Sequence, residues 1–200
     1  MTRAGTPERR LAVLVVVVAV TLAACGPSTT TPTPPPSPIG TPAASPSPTA
    51  GQDLAIVDRA LLDYLPADVD GVAIEASPET EDALRSDPLL AEVSVGYTAG
   101  FAVAADEWVV ALVVRMRPGL LDDARYRDWR ETFDAGVCEQ AGGVSRTAET
   151  EIGGRAVYVA TCAGGVRTYH VMLESDAVLI SAQAVGERRL GERLVENLRP

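Results

Sequence analysis

The stretch from Gly51 to Pro200 predicts an α+β domain: a single antiparallel sheet of about six strands, with a C-terminal four-stranded meander, packed against helices on one face. Three observations carry this reading. Between residues 144 and 184, runs of about nine residues rich in Val, Tyr, Thr and Ile are separated by Gly153-Gly154, Gly164-Gly165 and Ser175-Asp176, each the kind of pair that closes a hairpin. Upstream, residues 93–103 alternate between larger apolar and small or polar side chains, and Trp108 to Met116 is apolar on both faces. On either side of these runs apolar residues recur at helical spacing.

Taken in order, Asp53 to Leu65 places Leu54, Val57, Leu61 and Tyr64/Leu65 on one helical face, and Pro66 ends that helix. Ser77-Pro78-Glu79 combines an N-cap, a first-turn Pro and an early acid, so a short helix opens there and stops before Pro88. Val93, Val95, Tyr97, Ala99, Phe101 and Val103 then form the buried face of a strand. A turn near Asp106-Glu107 leads to the central strand Trp108–Met116. From Asp122 to about Ala141 the stripe Tyr126, Trp129, Phe133, Val137 returns to helical period, and Gly142-Gly143 caps its end. The meander follows as 144–152, 155–163, 166–174 and 177–184. A last helix from about Glu187 carries Leu190, Leu194 and Leu198 on one side.

The remaining quarter of the chain has another character. Residues 1–24 run from Arg3, Arg9 and Arg10 into an apolar stretch beginning at Leu11 and close on Ala23-Ala24, the order of a secretory signal. The apolar run, near fourteen residues, is short of the ~18–20 a membrane-spanning helix needs. Leu22-Ala23-Ala24-Cys25 resembles the bacterial lipobox. That resemblance covers the first 25 residues and implies lipid transfer to the Cys25 thiol, cleavage before Cys25, acylation of its new N-terminus, and a place on the extracytoplasmic face of the cell membrane. Residues 25–50 then form a linker: Gly26 to Ala50 holds no charged residue and is mostly Pro, Thr, Ser and Ala, too polar to bury a core. As a largely extended stalk of about 3.1 Å per residue it reaches at most roughly 75 Å. The globular domain is 51–200, enough for one core.

Charge removes whole classes of partner. The chain carries a formal net charge of −10, with 17 basic residues, all Arg, against 27 acidic ones. Loss of residues 1–24 removes three Arg and one Glu, a net +2, leaving −12. So acidic a domain lacks the basic patch that nucleic acid requires, and anionic headgroups repel it. Attachment to the membrane therefore rests on lipid at Cys25.

Cys138 and Cys162 are expected to form a disulfide. If Ile152 pairs with Arg155 across Gly153-Gly154, Cys162 falls opposite Ser145, just beyond the end of the helix that carries Cys138, and an exported chain meets oxidising conditions. Oxidised thiols cannot ligate zinc, and the one His excludes a His-rich metal site. Asp68-Val69-Asp70-Gly71 resembles a fragment of a calcium loop, but the later ligands do not follow and ordinary turn chemistry suffices. The glycine pairs fit no phosphate loop. The only His, His170, lies inside a strand, where a lone imidazole is more often a half-buried polar residue than a catalytic base, and there is no G-x-S-x-G. No catalytic site, cofactor or metal is assigned. The candidate binding surface is an exposed sheet face carrying Tyr158, Arg167, Tyr169 and His170. The leading functional expectation is a membrane-anchored, non-catalytic interaction or sensor module contacting an envelope protein. The alternative is a carrier of a small apolar ligand or lipid, which demands a cavity larger than a packed core leaves.

Overall fold

The computed structural model describes residues 54–199. The expected signal segment, Cys25 and the linker lie outside the described residues. In chain order the elements are a 3₁₀ turn (Arg59–Tyr64), short strands β1 (Asp68–Val69), β2 (Val72–Ala73) and β3 (Glu75–Ala76), helices α1 (Pro78–Leu84) and α2 (Pro88–Val93), strands β4 (Ser94–Ala104) and β5 (Glu107–Met116), helix α3 (Asp123–Glu139), strands β6 (Val144–Ile152), β7 (Arg155–Cys162), β8 (Arg167–Leu173) and β9 (Val178–Val185), and helix α4 (Leu190–Glu196). β3 to β9 make one seven-stranded antiparallel sheet in the order β3-β4-β5-β9-β8-β7-β6, with β1-β2 a separate hairpin.

The α+β class and the C-terminal meander are as the sequence predicts. Gly153 and Gly154 have φ of 58° and 75°, the left-handed pair that a two-residue hairpin between Ile152 and Arg155 requires. The other two connections are longer than two residues. Cys162 N–H donates to Val166 O, so Ala163-Gly164-Gly165 closes a three-residue loop. Leu173 pairs with Val178 around a 3₁₀ turn, Glu174–Asp176, and a left-handed Ala177. Asp70-Gly71 is also a plain hairpin turn, with Asp68 Oδ1 accepting from Gly71 N–H.

Helices cover both faces of the sheet rather than one. Val109, Ala111 and Val113 of β5 pack into the same cluster as Leu190, Leu194 and Leu198 from the α4 segment and Leu61 and Leu65 from the 3₁₀ region. Leu112 and Val114, which point the opposite way, pack with Leu90 of α2 and Trp129 and Phe133 of α3. The reason is topological. β5 pairs with β9, the last strand of the meander, while the chain leaves β5 for β6 at the far edge. α3 makes that crossing and must lie over β9, β8 and β7; α4, following β9, takes the other side. Each Leu that α4 buries is stabilising by roughly 1.5–3 kcal/mol relative to exposure. Gly191 lets α4 approach closely, since a Cβ there would lie 2.5 Å from the Tyr169 ring.

Three local expectations are corrected. Residues 54–57 are not helical: Val57 bridges Tyr97 in parallel, Leu54 is exposed, and only Arg59–Tyr64 turns. The β4 run does not keep one buried face. A bulge between Ser94 and Gly96 breaks the alternation, Val95 and Val103 are exposed, and Thr98 and Ala102 on the other face are buried. α2 was not foreseen; Asp87 Oδ1 caps it by accepting from Leu90 N–H, with Pro88 in its first turn.

α1 is held to β4 by a buried carboxylate. Glu81, 2% exposed, accepts from Arg59 Nε and Nη2 and from Thr98 Oγ1, and its carbonyl accepts from the Tyr97 hydroxyl. Burial works to raise the pKa of this carboxyl, but the Arg59 and Thr98 hydrogen bonds and the Arg59 charge outweigh it and hold it below the ordinary carboxylate range.

Cys138 and Cys162 are joined by a disulfide, Cα–Cα 5.1 Å, both fully buried. Cys162 pairs with Val144 rather than Ser145, because a bulge between Val144 and Arg146 absorbs one residue. The bridge ties the last turn of α3 to β7 while Cys138 O accepts from both Ala141 and Gly143 N–H, closing the helix over a left-handed Gly143. The double variant Cys138→Ala/Cys162→Ala is expected to lose about 3–4 kcal/mol of unfolding free energy, as the closed loop predicts. Urea titration of the oxidised, reduced and double-variant chains checks this, and equal midpoints for all three would show the bridge to be dispensable.

Candidate functional site

Asp134 projects from α3 toward the sheet, one helical turn before Cys138. Its Oδ1 accepts from the Thr168 hydroxyl and lies 2.9 Å from His170 Nε2. His170 Nδ1 lies 2.9 Å from Ser181 Oγ, and Trp129 Nε1 donates to that same Oγ at 2.9 Å. His170 and Ser181 are directly opposed on β8 and β9, so the sheet register alone puts them together. Asp134, Thr168, His170 and Ser181 are all at most 3% exposed. An indole N–H can only donate, so Ser181 accepts from Trp129; its own proton then serves His170 Nδ1, and Nε2–H serves Asp134. Every group in this assignment has a partner, and the Phe133 ring meets the imidazole edge-on at 5.2 Å.

Ser, His and Asp in one chain of contacts invite comparison with a hydrolase triad, yet the arrangement runs the other way. In that triad Nε2 of the imidazole faces the nucleophile and Nδ1–H the carboxylate; here Nδ1 faces Ser181 and Nε2 faces Asp134. Ser181 also sits mid-strand, within two ladders, and accepts a hydrogen bond from Trp129. What the relay does chemically is satisfy four polar side chains inside an apolar layer, fixing the rotation of α3 over β8 and β9.

Beside the relay, α1, α2 and α3 border a half-open cavity of about 360 Å³ against β5 and β9. Val110, Leu112, Ser181 and Gln183 form its floor; Leu84, Leu90, Trp129, Phe133, Gly136 and Val137 make up most of its walls. Leu89, one of the few exposed large apolar residues, lies on its lining. Thr80, Asp87 and Thr132 complete the lining, so among the described residues no basic side chain takes part.

The sequence-predicted binding face is not one surface. His170 and Tyr169 are fully buried and, as neighbours in β8, point to opposite sides of the sheet. Tyr169 packs with Val171 and Leu194 under α4, where burial raises its hydroxyl pKa. Tyr158, opposite His170, lies under α3, its ring 3.9 Å from the Arg130 guanidinium. Arg130 also reaches Glu149 Oε1 at 3.3 Å and stands 5.4 Å from the Tyr126 ring. Tyr126 donates to His170 O, and burial pushes its pKa up to about 12. Arg167 is exposed and belongs to the Tyr169 side. The four are therefore split between the sheet's two faces and share no site.

Asp134, Ser181 and Gln183 are the residues that sequence reasoning misses, and Trp129 is legible in the sequence only as a packing residue of the α3 stripe. One signal pointed to Asp134: it precedes Cys138 by four residues, so a disulfide from Cys138 to the sheet turns Asp134 to the sheet as well. Comparison with protein-family models, with curated proteins and with solved structures finds no match.

Removing one member of the relay strands the others. Asp134→Ala leaves the buried Thr168 hydroxyl and a His170 ring nitrogen without partners, for an expected loss of about 2–4 kcal/mol, whereas Thr168→Val should lose less, about 1 kcal/mol. Chemical denaturation of the two variants checks the order, and a neutral Asp134→Ala would show that the relay does not hold α3.

Proposed function

We propose that this domain is a lipid-anchored, extracytoplasmic carrier that binds a small apolar ligand in the cavity between α1–α3 and the β5–β9 pair. The single observation that carries the reading is the cavity. Its volume of about 360 Å³ falls within the roughly 300–1,000 Å³ of small-molecule sites, and its lining is mostly aliphatic and aromatic with a few polar groups at the floor. An interaction or sensor module needs no such space, so the geometry favours the carrier over the module that the sequence alone put first. The buried disulfide supports export, since such bonds persist in oxidising compartments. The lipobox-like Leu22-Ala23-Ala24-Cys25 supports anchoring.

Gly136 supplies the test of the cavity. It lies on α3 within the lining, and a Cβ built there meets no atom within 4 Å. Gly136→Trp should fill the space without disturbing the core and weaken binding of the neutral apolar dye Nile red about tenfold or more, with no fall in the unfolding midpoint. Dye affinity that is indifferent to Gly136→Trp would place binding elsewhere and end the carrier reading. A fluorophosphonate probe serves as a second control. A stoichiometric adduct at Ser181 would make the protein an enzyme instead.

The anchor has its own test. Cys25→Ser should abolish incorporation of a clickable fatty acid and release the chain from membranes, because stable attachment depends on the acyl chains. Unchanged labelling would refute lipidation at Cys25.

A further inference from the structure

We propose that the cavity selects an uncharged, single-chain amphiphile whose hydroxyl or amide head group hydrogen-bonds to Gln183. This rests on the carrier reading and names its ligand class. Three features of the lining converge on it. The first is the absence, among the described residues, of any Arg around the cavity; Arg is the only kind of basic residue in this chain besides His170. An ionised head group moved from water into such a space gains no opposite charge to offset its lost hydration. The only formally charged lining residue is Asp87, a carboxylate that caps α2 and repels an anion further.

The second feature is Gln183. Its carboxamide makes no hydrogen bond within the described residues, although the side chain is half-buried and lies on the cavity floor two residues beyond Ser181. A primary amide both donates and accepts, so it matches a hydroxyl or an amide, groups that do the same. Ser181 beside it is already engaged by Trp129 and His170, which leaves Gln183 as the floor's uncommitted polar group.

The third feature is size. About 360 Å³ lies near the lower end for ligand sites, enough for one aliphatic chain of moderate length and too little for a two-tailed phospholipid. The Leu84, Leu90, Phe133 and Val137 walls, with Leu112 of the floor, offer that chain an apolar surround.

The experiment is a titration of the full chain carrying Trp108→Phe, so that Trp129 in the cavity wall is the only indole. Decan-1-ol, sodium decanoate and decane are each added at pH 8, below micelle-forming concentrations, and Trp129 fluorescence is followed. Decan-1-ol should bind at least about tenfold more tightly than decanoate, and Gln183→Leu should weaken decan-1-ol about five- to tenfold while leaving decane within about twofold. Decanoate binding as tightly as decan-1-ol would overturn the proposed selectivity and leave the carrier reading standing. Indifference of decan-1-ol to Gln183→Leu would overturn the role of that amide. Failure of all three probes to change Trp129 emission would remove the carrier reading and this proposal together.

Discussion

β5 and β9 pair along their whole length, from Trp108↔Val185 to Arg115↔Val178, and most of what is distinctive in the molecule follows from that pairing. It joins the β4-β5 hairpin to the last strand of the meander rather than to the first. Strand β6 is thereby pushed to the far edge, and the chain must cross three strands to reach it. α3 is the crossing. A helix laid over one face leaves the other to α4, so the central strands are buried on both sides, and β5 reads as an unbroken apolar run from Trp108 to Val114 for that reason. The cavity lies over this same pair, where α3 and the α1–α2 segment meet without filling the space between them.

Two polar clusters fix those covering helices, each by satisfying groups that would otherwise be costly to bury. On one side Glu81 of α1 is bonded to Arg59 and Thr98; on the other Asp134 of α3 is bonded to Thr168 and His170. An unpartnered buried polar group costs about 1–3 kcal/mol, which is far more than a slightly displaced apolar contact loses. Apolar packing alone would tolerate small rotations or slides of either helix; the paired carboxylates do not, because a shift of an ångström breaks the bonds. The gap between the helices is thus set by where the two carboxylates find their partners. The disulfide adds a third fixed point at the end of α3, and α3 is pinned along its length by Trp129, Asp134 and Cys138.

Much of this scaffold was legible in the sequence. Gly153-Gly154 marked its hairpin because two successive positive φ values are cheap only for glycine, and from that one turn the register brought Cys162 to the neighbourhood of Cys138. The error of one residue there, Val144 in place of Ser145, came from a bulge that no local pattern announces. The stripe Tyr126, Trp129, Phe133, Val137 located the apolar face of α3 correctly. The candidate site was not legible in the same way. Alternation along β8 says that Tyr169 and His170 face opposite sides, but not that both sides are covered; that depends on the β5–β9 pairing, which is non-local. The local pattern therefore puts His170 on an exposed or half-buried face, whereas it is wholly enclosed, and Ser181, mid-strand in an apolar run, carries no local mark at all.

The same non-local origin explains why the cavity can be apolar and still have a polar floor. Ser181 and Gln183 share one face of β9 with Leu179, and a strand at the centre of a two-sided sheet would be expected to place apolar side chains there. Ser181 is accommodated because His170 is its cross-strand neighbour and Trp129 reaches down from α3. Gln183, one step further along, lies beyond both and has neither partner. Its side chain lines space that no described side chain fills. An apolar space of this size forgoes the contacts that packed side chains would make, and the half-buried Gln183 amide, without a protein partner, is left to solvent. Both are engaged by one occupant, an aliphatic chain with a neutral polar end. Because the cavity is bounded by helices already fixed through Glu81, Asp134 and Cys138, such an occupant has little to order on entry, and what it gains is retained as affinity.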